Sequence, residues 1–544
     1  MPDRGNVTTG AAGRPARSGG YPAHERRRRP PHAVIVALCA VAVVAVVSVG
    51  VAVTRSDPGV EEAVRDVRRS VDEYLSAWQQ RDVPRMRELV AAPDHLPAPY
   101  IEEFAGLPVT DVRFEAKGVT VTGDEAEARF AARVQVEGLG LWAYRGRLPL
   151  EREPARWVVD WSPAAFHPAL RDGLRLGETR EELPRAPILG VDGNPLPSLA
   201  ALGTDVSGLQ AAFDAQLAGQ PAGAVQVLDA SGNVVRTLAR FEQRAAPEPV
   251  ATTLDPAVQA AAEAALADTV QPAALVAVDV ATGDVRAVVS RPGGGFARAL
   301  LGRYPPGSTF KVVTTTAALA AGITPEEVID CPPSVDPGGK VFVNAKGEAL
   351  GPIPLTVAFA QSCNTAFVNL AGRLTDSQLQ EAAADYGFGA DTDLGLASFG
   401  GSFPLPSGPI EHAAAALGQA RVETSPLKMA EVAAAVAGGA WRPARLLAEA
   451  PAGKSRPLDP TVTASLQQMM RLAVTEGTGT AADLPGSPVH GKTGTAEFGT
   501  ETPPRTHAWF IGYRDNLAFA VLVEDTGFGG DVAAPIAARF LSAL

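Results

Sequence analysis

The spacing of apolar positions changes several times along this chain, and each change marks a new kind of segment. Residues 33–53 form a run of 21 positions without a charge, long enough for a helix to cross a bilayer core. Past it, Val64, Val67, Val71, Leu75 and Trp78 recur every three or four residues, which predicts one apolar face of an amphipathic helix. The period then drops to two. Ala128, Phe130, Ala132, Val134 and Val136 alternate with polar residues, and Trp157, Val159 and Trp161 do so again after a polar turn. Strands are therefore expected after the helix. A helix followed by a meander of strands predicts an α+β domain over residues 58–168.

Residues 169–250 are weaker in pattern: Asp192-Gly193-Asn194 marks a turn, and a helix is expected from Gly208 through Leu217. The polar, proline-bearing stretch 242–250 reads as a boundary. After it, Asp255 and Pro256 form a helix start ahead of Val258, Ala261, Ala262, Ala265 and Leu266. Residues 274–280 and 284–289 flank Ala281-Thr282-Gly283 as a hairpin. Pro305-Pro306-Gly307 then halts the chain, and the apolar run 312–321 predicts a buried helix with Ser308 at its start. Lys492-Thr493-Gly494-Thr495-Ala496 reads as an edge strand. Strands over 508–512 and 517–523 and a terminal helix over 532–544 are expected beside it.

Charge sharpens the N-terminal picture. Ahead of residue 33, seven arginines face only Asp3 and Glu25, a net of +5, so the rest of the chain carries −17 of the total −12. Arg26 to Arg29 directly precede the apolar run, which predicts a disordered cytoplasmic tail over 1–32. A single retained anchor over 33–53 follows, with the remainder outside the cell. An acidic body without a basic stripe argues against nucleic acid. Cys39 falls within the anchor. Whether Cys331 and Cys363 are bonded or are two buried thiols stays open at this level. His95 and His167 lack the spacing of metal ligands, and neither a metal nor a cofactor is expected.

The chemistry concentrates in three short motifs that occur in order: Ser308-Thr309-Phe310-Lys311, Ser362-Cys363-Asn364 and Lys492-Thr493-Gly494. A lysine three residues after a serine on one helix lies on the same face one turn later. A hydroxyl needs such a base to become a nucleophile, and burial or nearby positive charge can make lysine that base. Lysine usage supports the assignment. The chain has seven lysines against 41 arginines, and only lysine can lose its proton within a protein. Glycine at 494 would let another group approach the strand closely. A peptide could then lie along that strand, with Thr493 and Thr495 offered to a terminal carboxylate.

This set, together with Gly418-Gln419, the segment 424–430 and the segment 507–512, resembles a class B penicillin-binding protein over residues 251–544. Residues 157–168 resemble the end of the NTF2-like domain that precedes some of these catalytic domains. Residues 169–250 resemble a short linker or dimerisation domain. The resemblance implies an antiparallel sheet flanked by helices and a D,D-transpeptidase that cross-links peptidoglycan stem peptides. It implies Ser308 as nucleophile, Lys311 as its base, Ser362 as proton relay, and Lys492 as the charge that depresses the Lys311 pKa. Asn364 would orient a peptide amide, while Thr493, Gly494 and Thr495 would bind substrate. The donor would be a D-Ala-D-Ala stem and the acceptor an amine, with β-lactams trapped on the same serine. A separate glycan polymerase would be the partner. Two rivals are a slow serine β-lactamase and a membrane-anchored β-lactam sensor or scaffold. The first is disfavoured because residues 371–490 contain no asparagine to help a glutamate activate water, the second because the motifs are intact.

Overall fold

The computed structural model describes residues 58–196, 203–390, 392–501 and 503–544. The basic tail and the uncharged run at 33–53 lie outside these residues. No helix among the described residues is long and apolar enough to cross a membrane. The described residues divide into two compact units: 58–98 with 114–132 and 145–168, and 99–113, 133–144 and 169–544.

Helix α1 (Pro58–Gln79) buries Val67, Val71, Tyr74, Leu75 and Trp78, close to the face its apolar spacing marks out. Trp78 is the hub. Its ring stacks on Phe114 at 4.1 Å and meets Phe166 at 4.7 Å and Phe130 at 5.7 Å. Strands β1 (Val109–Thr122), β2 (Glu125–Val136), β3 (Gly140–Arg152) and β4 (Trp157–Val159) form one sheet in chain order. All five alternating residues of β2 from Ala128 to Val136 are buried. In β4 all three residues are buried, and Trp161 falls beyond the strand, so the period of two does not carry through that segment.

From residue 169 on, the next sheet is one that the sequence pattern does not reveal. Strands β5 (Arg175–Arg180), β6 (Gly223–Leu228) and β7 (Val234–Phe241) pair antiparallel with β6 in the centre. The expected helix forms in two pieces, α2 (Gly203–Ala212) and α3 (Asp214–Ala218), separated at Phe213.

Helix α4 (Pro256–Leu266) then starts on the Asp255 carboxylate, which accepts hydrogen bonds from the amides of Ala257 at 2.9 Å and Val258 at 3.3 Å. Strands β8 (Ala273–Asp279) and β9 (Val285–Arg291) make the expected hairpin. With β10 (His490–Phe498), β11 (Arg505–Arg514) and β12 (Leu517–Val523) they build a five-stranded antiparallel sheet ordered β9-β8-β12-β11-β10. Both faces of the sheet are covered, so β8 reads as a continuous apolar run. Ala274, Val276 and Val278 enter the core that contains helices α5 (Lys311–Ala320) and α9 (Pro426–Gly438). Ala273, Leu275 and Ala277 enter the other core, with α4 and the terminal α11 (Gly529–Ser542). Between α5 and α11 lie α6 (Leu355–Ala360), α7 (Asn364–Ala371), α8 (Pro409–Ala416) and α10 (Pro460–Thr475). Strand β10, the expected edge strand, occupies one end of the sheet, and the turn before α5 packs on it.

Candidate active site

Ser308 sits in a tight 3-10 turn, Gly307–Phe310, that runs directly into α5 with Lys311 as its first residue. Side chains three apart eclipse in such a turn, so Ser308 and Lys311 share a face. The turn rests against β10 through glycine. A Cβ on Gly494 would come within 2.8 Å of Thr309 Cγ2 and 3.1 Å of Pro306 O, and one on Gly307 (φ 54°) within 2.7 Å of Thr495 O. The group that approaches Gly494 is therefore the serine turn itself, which fixes the distance between Ser308 and the strand.

Lys311 is wholly buried. Its Nζ donates to Ser362 O at 2.7 Å and Asn364 Oδ1 at 2.8 Å, and lies 3.4 Å from Ser362 Oγ. Lys492, equally buried, donates to Ser362 Oγ at 2.8 Å and to Thr493 O at 3.1 Å. Ser362 thus lies between two amines. Burial first, and the neighbouring Lys492 charge second, hold the Lys311 amine well below the usual lysine range. Burial brings Lys492 down to about 7. A neutral Lys311 donates two protons and keeps one lone pair. Its two short bonds use the protons, and the lone pair is left to accept from a hydroxyl. No hydrogen bond joins Ser308 Oγ to Lys311 Nζ among the described residues; contacts of this kind often close only once substrate is bound.

Ser362 carries a left-handed backbone, φ 57°, in the turn between α6 and α7. Such a conformation is costly for a residue with a Cβ and persists where its surroundings enforce it. Here the turn donates from Ser362 N to Phe359 O at 3.1 Å and from Cys363 N to Ala358 O at 3.0 Å. Cys363 is joined to Cys331 by a disulfide, which settles the pairing the sequence leaves open. Behind it, Asn344 is almost fully buried: its Nδ2 donates to Pro332 O at 2.9 Å and Glu348 O at 2.8 Å, and its Oδ1 accepts from Thr365 N at 3.0 Å. Sequence reasoning misses Asn344, since a lone asparagine in a long loop gives no signal there.

The other expected site residues converge on the same place with different occupations. Both ends of the Asn364 amide are engaged, the oxygen with Lys311 and the nitrogen with Val343 O at 3.1 Å. Thr493 is buried, its hydroxyl 2.5 Å from that of Thr478. Thr495 Oγ1 accepts from Gly529 N at 3.2 Å. Ser308, Asn364 and Thr495 line one cleft of about 830 Å³, bounded also by Phe342, Gln419 and Glu497. His412 bonds Asp376 Oδ1 and Ala371 O. His507 stacks on Phe498, and burial lowers its pKa to about 4.

Two family descriptions match the chain: a penicillin binding protein transpeptidase domain over residues 273–542 and an NTF2-like N-terminal transpeptidase domain over residues 67–173. The chain belongs to the penicillin-binding-protein transpeptidases. Among the relatives of this transpeptidase, the peptidoglycan D,D-transpeptidase PbpA of Mycolicibacterium smegmatis is 38% identical over 285 residues. That match covers 45% of this chain and 56% of the relative. The stage V sporulation protein D of Bacillus subtilis is 30% identical over 268 residues, covering 44% and 41%. The chain thus spans about half the length of the curated relatives it matches. Among solved structures, the ceftriaxone acyl-enzyme complex of penicillin-binding protein A from M. tuberculosis is 26% identical with a TM-score of 0.57, covering 66% of this chain and 98% of that one.

Proposed function

We propose that this penicillin-binding-protein transpeptidase is a peptidoglycan D,D-transpeptidase that works through an acyl-enzyme on Ser308 and is acylated there by β-lactams. The observation that carries this reading is the cluster of Lys311, Ser362 and Lys492, two amines buried around one hydroxyl, which Asn364 joins to the cleft that Ser308 lines. The relatives named D,D-transpeptidase and the acyl-enzyme neighbour support it.

In this reading Ser308 Oγ bonds to the penultimate D-alanyl carbonyl carbon of a stem peptide while Lys311 Nζ takes its proton. Backbone amides of Ser308 and Thr495 hold the oxyanion, where one donor is typically worth roughly 3–4 kcal/mol. As the C–N bond breaks, the proton passes from Lys311 through the Ser362 hydroxyl to the departing D-alanine amine. The Lys492 cation meets the terminal carboxylate. An amine from a second stem peptide then attacks the ester, forms the cross-link and returns the proton to Ser308.

The finer organisation belongs to the same proposal. The uncharged run at 33–53 anchors the chain in the cell membrane as a single pass, with 1–32 in the cytoplasm and the catalytic domain outside. Residues 58–168 lift that domain from the bilayer, 169–250 serve as linker, and a separate glycan polymerase supplies the strands. Mass spectrometry after incubation with a labelled penicillin tests the core claim. An adduct on Ser308 that is absent in Ser308→Ala is expected, and an adduct elsewhere or none overturns it. Cross-linked product from a pentapeptide donor, with negligible nitrocefin turnover, separates transpeptidation from hydrolysis.

A further inference from the structure

The segment after α8 reaches across the mouth of the cleft from the serine turn to the edge strand. Gly418 O accepts from Gly307 N at 2.9 Å, the residue directly before Ser308. The contact is so close that a Cβ on Gly418 would lie 2.3 Å from Gly307 O and 2.6 Å from Phe310 Cβ, and Gly418 has φ 70°. The next residue turns the other way. The Gln419 amide, with its nitrogen facing Glu497 O, donates there at 3.2 Å, and its oxygen accepts from Glu497 N at 3.0 Å. Ala420 follows with φ 59°, a left-handed conformation that a residue with a Cβ holds only where neighbours enforce it.

Gln419 therefore fills the place on the free edge of β10 that one residue of an added strand would fill. Alternate residues of a strand present their backbone groups to the same edge, so the N–H and C=O of Thr495 also face the cleft, two residues short of the block. We propose that Gln419 is a positioning residue for acylation: it ends the open edge of β10 at Thr495 and holds the Ser308 turn and the Thr495 backbone in one register. Gly418 grips the turn and the Gln419 side chain grips the strand, so two main-chain segments that must hold one oxyanion between them are tied through a third. This inference rests on the Ser308 reading given above.

The test measures acylation of the full chain by benzylpenicillin, separating the limiting acylation rate from the affinity of the initial complex. Gln419→Ala is expected to lower the limiting rate about 10- to 100-fold, the loss an ångström-scale misplacement brings, with affinity within about twofold. Gln419→Glu keeps the bulk but sets a carboxylate oxygen against Glu497 O. It is expected to lose at least as much as Gln419→Ala, whereas a residue that only fills space would keep wild-type rates on this exchange. Wild-type rates in both variants overturn the proposal. So does a loss that appears only in affinity, or one that tracks a fallen melting temperature and returns on cooling. If wild-type protein forms no adduct, or Ser308→Ala still does, the underlying Ser308 reading fails instead.

Discussion

At the residue scale, the two buried lysines beside Ser362 carry opposite consequences for stability and for activity. An unfolded lysine binds its proton up to about pH 10.4, whereas Lys492 in the fold releases it near 7. Between those values the unfolded chain holds more protons, so this residue makes stability rise with pH across that window. The same displacement destabilises the fold at pH 7 by on the order of 3–4 kcal/mol. Lys492→Met is therefore expected to raise the melting temperature at pH 7, to lose that advantage by pH 10, and to abolish penicillin acylation. Calorimetry at the two pH values checks the sign, and a variant that melts lower at pH 7 than wild type would refute it. The pH profile of acylation follows from the same pair. Its efficiency with a carboxylate-bearing β-lactam should rise as Lys311 becomes neutral, then fall above about pH 7 as free Lys492 loses its charge. A profile that keeps climbing to pH 9 would separate Lys492 from carboxylate binding. Lys311 and Lys492 are two of only seven lysines in a chain that mostly writes arginine, and the one that must take up and surrender a proton, Lys311, cannot be arginine. Their shared partner Ser362 is legible only as a motif. Its position between two amines depends on a backbone turn that no side-chain pattern encodes.

At the element scale, the turn between α6 and α7 shows where reading the sequence runs out. Beside the turn that holds Ser362 at φ 57°, contacts arrive from residues 331–348: Cys331 is bonded to Cys363, and the buried amide of Asn344 accepts from Thr365 N. Neither can be paired with its target from spacing alone. The disulfide closes a loop with a sequence separation of 32 residues, for which chain entropy predicts about 3–4 kcal/mol of stabilisation. Replacing Cys331 and Cys363 together by alanine should lower the denaturant midpoint by a corresponding amount, and urea unfolding of oxidised protein against the double variant measures it. Asn344→Ala leaves the disulfide intact but strips Thr365 N and two loop carbonyls of their partner. It should cost about 1–3 kcal/mol and also slow acylation, because the Asn364 amide nitrogen bonds the adjoining Val343 O. Stability loss with unchanged acylation would show that this loop supports the fold without steering the site.

At the scale of the whole molecule, composition and packing divide the chain differently. The polar stretch near 250 looks like a boundary, yet the core does not stop there. Ile188, Leu209, Leu217, Val250 and Leu254 are all buried in the same cluster as Val276 of the central strand and Val312 of α5. Main-chain bonds cross the stretch as well: Thr252 N donates to Leu189 O at 2.9 Å and Val191 N to Leu254 O at 2.8 Å. Polarity along a chain reports which side chains meet water, and a short segment can be polar outside while its neighbours on both sides insert into one core. A fragment of residues 251–544 would lose Ile188, Leu209 and Leu217 as packing partners. At about 1.5–3 kcal/mol for each buried side chain that is several kcal/mol, before the lost backbone pairs are counted. At the usual unfolding entropy per residue, a fragment of residues 251–544 loses roughly 1.5 °C per kcal/mol. The 251–544 fragment is therefore expected to melt roughly 5–15 °C below a fragment of residues 169–544, which keeps those partners. Penicillin labelling of Ser308 in both fragments at low temperature tells the two losses apart. If 251–544 labels at the wild-type rate when cold, residues 169–250 stabilise the transpeptidase core without shaping its cleft. If it labels slowly even when folded, they also hold the site in place, through the core cluster that reaches both Leu209 and Phe310.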